Sequence, residues 1–319
     1  MQLHQRDAIE AAVQLDTDAL AVIEAGFAAL GRGEAVQPPI LSMTIEEANG
    51  EVDVKTAHIR GFERFAIKVS SGFFDNPKQG LPSLNGLMMM FSARTGLVDA
   101  VLFDEGYLTA VRTALAGALA AKYLARENSR RVTVLGAGEQ AELQIDALRL
   151  VHGIETVDVW ARRREAAESY AERLRQRDLT VNVHDDVHAA CREADIIVTA
   201  TPAQQPILEA ADLPEGVHVT AMGADSPDKR ELDDSVMTRA DAFVCDTRAQ
   251  SEHNGELKAF VKSGETAANV PFKVYELGQV IDRELTLRLS DAGITVCDLT
   301  GTGVQDTAIA DYALRRLEG

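Results

Sequence analysis

The sequence predicts an α/β protein, with a Rossmann-type doubly wound parallel sheet joined to a strand-rich α+β domain. Three observations predict it. Residues 131–141 read RVTVLGAGEQA, an apolar run that ends in Gly136 and Gly138 and opens into the helical pattern GEQAELQIDALRLV. From 131 to 298, apolar runs of strand length alternate with helical segments, the signature of a parallel sheet with crossover helices. Before that, residues 40–102 read as successive strands separated only by turn signals.

The elements follow in order. Residues 5–31 carry helical periodicity through Ile9, Ala12, Val13, Leu15, Leu20, Val22, Ile23, Phe27 and Leu30. Pro38-Pro39 punctuates the entry to an extended region. There the runs ILSMTI, GEVDVKTAHI, FAIKVSSGF, LNGLMMMFSA and GLVDAVLFD read as strands, divided by turns such as Asn49-Gly50, Arg60-Gly61 and Thr95-Gly96. Residues 107–125 return to helix. In the second half the strands are RVTVLG, TVDVWA, ADIIVTAT, HVTAMG, DAFVCD and TVCDL, with helices at AELQIDALRLV, RREAAESYAERLRQR, DVHAACRE and ELDDSVMTRA. The C-terminal TGVQDTAIADYALRRLEG is one helix, expected to return to the first domain. The organisation is therefore residues 1–125 plus 304–319 as a substrate-binding and dimerisation domain, and residues 126–303 as the dinucleotide-binding domain.

Composition narrows the partners. A net charge of -18 over 319 residues argues against nucleic acid and anionic membranes. No apolar run has membrane-spanning length, and the first residues are too polar for a signal peptide, so a cytoplasmic protein is expected. Cys191, Cys245 and Cys297 are dispersed, without CxxC spacing, and read as buried small residues of a reducing compartment. No clustered His/Cys pattern calls for a metal.

The glycine turn carries the first functional reading. A backbone without Cβ atoms lets a pyrophosphate approach the exposed N–H groups of a helix start, and Ala141 fills the third position of the GxGxxA fingerprint. Gly136, Gly138, Glu139 and Gln140 thus form the candidate phosphate loop. An acid about 20 positions on would bind the ribose of NAD. Here Asp158 sits too early, inside its strand, and the strand-end position is Ala161, followed by Arg162, Arg163 and Arg164. Guanidinium groups without an acid favour a 2′-phosphate, and hence NADP.

Three further residues stand out. Lys68 lies inside the apolar strand FAIKVSSGFF, either snorkelling at a sheet edge or placed in a cleft. Arg112 lies among small residues near a helix start, suited to clamp a carboxylate. Asp225 follows Gly223 at the carboxyl end of a strand, where it could act as acid/base or cap the next helix.

Taken together, the stretch from Asp53 to Gly96, DEGYLTAVRTALAGALAAKYLA, VLGAGEQA, TATP, GADSPDKREL and DLTGTGVQDTAIA resemble the ornithine cyclodeaminase/mu-crystallin family over nearly the whole chain. The Asp53–Gly96 stretch looks closest to the ectoine-utilisation branch, to which the iminosuccinate reductases are similar; that branch leans towards NAD. The resemblance implies that Lys68 and Arg112 hold the substrate's α-carboxylate, that Asp225 handles the proton on its nitrogen, and that Thr201, Pro202 and Val296 lie near the cofactor. It implies a homodimer formed through the strand-rich domain. Many members carry an arginine where this chain has Ile40 or Leu41, so a second substrate carboxylate needs another partner. His58, Arg60, Ser83 and Asn85 are candidates.

The expected activity is NAD(P)H-dependent reduction of an α-imino acid, with iminosuccinate, giving L-aspartate, as the leading substrate. Ornithine cyclodeamination, an amino-acid dehydrogenase of the alanine dehydrogenase kind and a non-catalytic binding protein of the mu-crystallin type are the alternatives.

Overall fold

The computed structural model describes residues 1–261 and 270–319. They divide into two compact units, one made of Met1–Thr113 and Thr302–Gly319, the other of Ala114–Gly301.

The first unit is built on a seven-stranded sheet. Its strands are β1 (Gln2–Gln5), β2 (Ala35–Val36), β3 (Leu41–Ile45), β4 (Gly50–Ile59), β5 (Arg64–Phe73), β6 (Leu84–Ser92) and β7 (Val98–Phe103), in the order β1-β7-β6-β5-β4-β2, with β3 also paired to β4. Every pair but β1–β7 is antiparallel. Because side chains alternate across a strand, the register defines one inner face. Ala57, Ala66, Met90 and Ala100 form one row of it, and Lys55, Lys68, Met88 and Leu102 the next. The helix Gly303–Glu318 lies on the apolar row: Thr307 accepts from the Ala66 N–H at 3.1 Å and donates to the Ala57 carbonyl at 2.7 Å. Gly303 makes this approach possible, since a Cβ there would come within 2.3 Å of the Thr56 carbonyl oxygen. Thr302 and Gln305 close the helix start as a reciprocal capping box.

The helical pattern of residues 5–31 resolves into two helices, Arg6–Ala12 and Thr17–Gly31. Asp16 causes the break: its carboxylate accepts from the Ala19 N–H at 2.9 Å and caps the second helix. Strand β1 carries no apolar alternation and exists by parallel pairing with β7.

The second unit holds an eight-stranded, wholly parallel sheet. Its strands are β8 (Arg131–Leu135), β9 (Thr156–Trp160), β10 (Thr180–Val183), β11 (Ile196–Thr199), β12 (His218–Ala221), β13 (Ala242–Cys245), β14 (Val274–Glu276) and β15 (Thr295–Asp298), ordered β10-β9-β8-β11-β12-β15-β13-β14. The inner strands are almost continuously buried, as a sheet covered on both faces requires. The two edge strands, β10 and β14, are the ones that sequence patterning missed. The chain moves outward from β8 through β9 to β10, then returns to β11 on the other side of β8. The carboxyl ends of β8 and its neighbours therefore form a topological switch point, the usual ligand position in such sheets. The helix Tyr107–Leu124 contributes its first turns to the first unit and the rest to the second. Among the described residues, no helix is long and apolar enough to cross a membrane.

Candidate active site

In the first unit the structure brings Lys68 and Arg112 together through a residue that sequence reasoning passed over. Lys68 is on a central strand and only 2% exposed, so it does not snorkel at an edge. Its Nζ lies 3.1 Å from Oδ1 and 3.0 Å from Oδ2 of Asp306. The Nε of Arg112, also buried, lies 3.0 Å from the same Oδ1, and its guanidinium donates to Gln305 at 3.4 Å. Asp306 sits in the first turn of the C-terminal helix, where the helix dipole favours its charge.

Burial pulls the Lys68 ammonium down to about 7; Asp306 opposes this, while Arg112 and Lys55 add to it. Burial acts to raise the Asp306 carboxyl, but Lys68, Arg112 and Lys55 outweigh it and hold that group below its ordinary range. Asp104, which accepts from the Leu108 N–H at 2.9 Å, is pushed up to about 6 by burial. An ammonium has three donors and a guanidinium five, more than one carboxylate can accept. The arrangement suits a second, external anion, with Asp306 fixing both cations. Asp306 lies within the DLTGTGVQDTAIA motif, but an acid four residues into a helix pattern reads equally as dipole compensation.

In the second unit, the carboxyl ends of β8, β9 and β11 meet at the glycine turn. Gly136 has φ +131°, and a Cβ there would stand 2.6 Å from the Ala200 carbonyl oxygen, so only glycine fits. Its N–H donates to the Trp160 carbonyl at 2.9 Å, tying the turn to the end of β9, next to Ala161. Gly138 is the N-cap of the helix Glu139–Leu148 and faces open space, while Glu139 and Gln140 begin the helix. This glycine turn at the start of a ten-residue helix fits a dinucleotide pyrophosphate.

Asp158 is buried and bound to Arg131 at 2.6 Å, with Asn182 and His184 as further donors, so its carboxylate is committed within the sheet. Of the three arginines, Arg164 pairs with Asp185 and Glu168; Arg162 and Arg163 are exposed. Val296 lies mid-strand, with its side chain in the apolar core among Ile197, Val219 and Phe243.

Thr201 and Gly223 are joined by a second residue that sequence reasoning missed, Glu231. This fully buried carboxylate accepts from the Thr199 hydroxyl at 2.6 Å, the Thr201 N–H and hydroxyl at 2.7 Å each, and the Gly223 N–H at 2.7 Å. It thereby fixes the ends of β11 and β12, with Pro202 exposed just beyond. Asp225 follows on the loop after β12, half exposed, and pairs with Lys229 at 2.7 Å. It does not cap the next helix; Asp233 does. Lys258 holds this loop by donating to the carbonyls of Ser226 and Asn254 at 2.9 Å and to that of Lys229.

One unit thus carries a nucleotide-type phosphate cradle and a polar loop at a switch point, and the other a buried cation pair built for an anion. Together they define an α/β protein of the dinucleotide-binding class. The chain belongs to the ornithine cyclodeaminase/mu-crystallin family, whose model matches residues 1–319. An uncharacterized cyclodeaminase of Sinorhizobium fredii is 49% identical over 96% of this chain and 92% of its own. A Delta(1)-pyrroline-2-carboxylate reductase of Paracoccus denitrificans is 34% identical over 91% and 92%. Among solved structures, an archaeal alanine dehydrogenase dimer with bound NAD aligns with a TM-score of 0.90 and 32% identity, covering 99% of this chain and 95% of that one. The iminosuccinate reductase of Paracoccus denitrificans with NAD+ aligns with a TM-score of 0.86 and 28% identity, covering 100% and 96%.

Proposed function

We propose that this protein is an NAD(P)H-dependent oxidoreductase that reduces an α-imino acid to the L-amino acid, with iminosuccinate as substrate and L-aspartate as product. The observation that carries the reading is the buried pair of Lys68 and Arg112, oriented by one carboxylate and suited to an α-carboxylate. The iminosuccinate reductase, the alanine dehydrogenase and the pyrroline-2-carboxylate reductase are relatives that support it. The residues to hold the cofactor are Gly136, Gly138, Glu139, Gln140, Ala161, Arg162, Thr201 and Pro202. When bound, the nicotinamide supplies the hydride equivalent. Arg112 and Lys68 neutralise the substrate carboxylate and fix its orientation, which leaves the imino carbon more electrophilic. Asp225 supplies the proton that the nitrogen takes up. A homodimer accords with the exposed Leu41 and Met43, which share one face of β3.

A second reading, an amino-acid dehydrogenase acting on alanine, is favoured by the higher TM-score of the alanine dehydrogenase. Purified protein supplied with NADH or NADPH and iminosuccinate formed in situ, or with pyruvate and ammonia, separates the two at 340 nm. Oxidation with iminosuccinate alone supports the first reading. Oxidation with pyruvate and ammonia alone replaces it by the second.

The Lys68 ammonium gives a pH test. Its proton is held below about pH 7 and lost above it, and only the charged form binds an anion well. The inhibition constant of succinate, an anion throughout, is therefore expected to rise about tenfold per pH unit above pH 7 and to stay level between pH 6 and 7. A constant that is flat to pH 9 excludes Lys68 from carboxylate binding.

A further inference from the structure

The four polar residues considered for a second carboxylate do not share a face with Lys68. His58 alternates with Lys55 along β4 and so points to the opposite side of the sheet. Asn85 pairs with Ser71, which alternates with Lys68 and Ser70 on β5, so it too lies on the far side. Ser83 precedes β6 opposite Phe73, on that same far side, and Arg60 lies beyond the end of β4.

One cationic residue has the right placement, and it lies directly across from Lys68. Lys55 on β4 and Lys68 on β5 are register partners in an unbroken antiparallel ladder. Directly opposed residues of such a pair stand about 5 Å apart at Cβ and share a face. Lys55 is 7% exposed and Lys68 2%. Two lysines at opposed positions repel each other, and burial sharpens this, so the pair needs negative charge nearby. Both the Lys68 ammonium and the Asp306 carboxylate feel the Lys55 charge.

The next row of the same face, away from the C-terminal helix, begins with Asp53 on β4, an acid two residues from Lys55, and has small members on the two strands that follow. Ser70 is the register partner of Asp53, and Gly86 that of Ser70. A Cβ on Gly86 would come within 2.8 Å of the Val69 carbonyl oxygen, so this position stays bare. Ser70 and Gly86 therefore put little side-chain bulk beside the paired lysines.

We propose that Lys55 binds the distal carboxylate of the substrate and makes the protein selective for α-imino dicarboxylates over imino monocarboxylates. The inference rests on the imine-reductase reading. Lys68 and Arg112 take the α-carboxylate. Lys55, one strand over, takes an anionic group two carbons further along, a span comparable with the cross-strand spacing of about 5 Å.

The test reads a specificity ratio, kcat/KM for iminosuccinate over kcat/KM for 2-iminopropanoate formed from pyruvate and ammonia. In Lys55→Met this ratio is expected to fall about 100-fold, mainly through KM for iminosuccinate, and in Lys55→Arg to stay within about threefold of the parent. Loss of fold lowers both kcat/KM values alike and leaves the ratio unmoved, so an unchanged ratio in Lys55→Met overturns the proposal. Calorimetric binding of succinate and propionate to the cofactor-loaded protein gives a readout independent of turnover. A preference for succinate that disappears in Lys55→Met supports the proposal even if no imine is reduced, in which case the imine-reductase reading alone fails. Equal affinity for succinate and propionate in the parent protein overturns the proposal while leaving reduction of monocarboxylates intact.

Discussion

Asp306→Ala is expected to destabilise the protein by about 3–5 kcal/mol, the range for removing one partner of a buried ion pair. The reason is geometric. Asp306 is fully buried, and its two oxygens are the acid contacts of two buried cations, Lys68 and Arg112. Without it, Arg112 keeps a charge it cannot discharge, while Lys68 can relieve itself only by losing a proton. At about 2–4 °C per kcal/mol, a fall in Tm of roughly 6–20 °C should be seen by calorimetry.

The pH dependence of the deficit identifies the cause. The native Lys68 pKa is lowered from 10.5 to about 7, so its ion pair with Asp306 is fully formed only below that value. Removing Asp306 takes away the main influence that raises the Lys68 pKa, so the variant releases this proton at lower pH than the parent. Between those two pH values the parent's native state binds a proton that the variant's does not, and the variant gains stability relative to the parent as pH rises. The deficit should thus shrink towards pH 8 without vanishing, because Arg112 stays charged. A Tm within about 2 °C of the parent at pH 6 would refute the bridging role.

How much of this was legible beforehand depended on local patterning. The strands from Leu41 to Phe103 and the glycine turn followed from alternation, turn residues and the βα signature, which are short-range properties. The edge strands β10 and β14 had none of that signal. Their residues become strands because a neighbouring backbone is available to pair with, a tertiary cause. The same holds within the site. Lys68 and Arg112 were conspicuous as charges in apolar segments. Asp306 was not, because its partners are 238 residues and 194 residues away in sequence. Glu231 was likewise hidden, since an acid in a polar loop sequence carries no mark of complete burial. Lys55 could have been found, because GEVDVKTAHI and FAIKVSSGF joined by a short turn fix the register that sets it against Lys68. Judging it needed the further knowledge that this face is the buried one.

Asp225→Asn is expected to lower kcat by about 10²–10⁴-fold while leaving the affinities for cofactor and succinate within about threefold of the parent. Asparagine keeps the size and hydrogen-bonding reach of the aspartate but cannot cycle a proton, so a residue that only shapes the loop would tolerate the exchange. The loop itself has further supports in the Glu231 carboxylate, which holds the Gly223 N–H, and the Lys258 ammonium, which holds the Ser226 carbonyl. Lys229, by contrast, donates to Asp225 at 2.7 Å, and its interaction weakens when the charge is removed. Lys229→Met therefore serves as the companion variant: it breaks that ion pair but preserves the acid. A large loss of kcat in Asp225→Asn with a smaller one in Lys229→Met assigns the chemistry to the carboxylate. Equal losses in the two would make the ion pair, and not proton transfer, the reason this position matters. Near-parent turnover in Asp225→Asn would remove it from the mechanism and require another group to protonate the nitrogen.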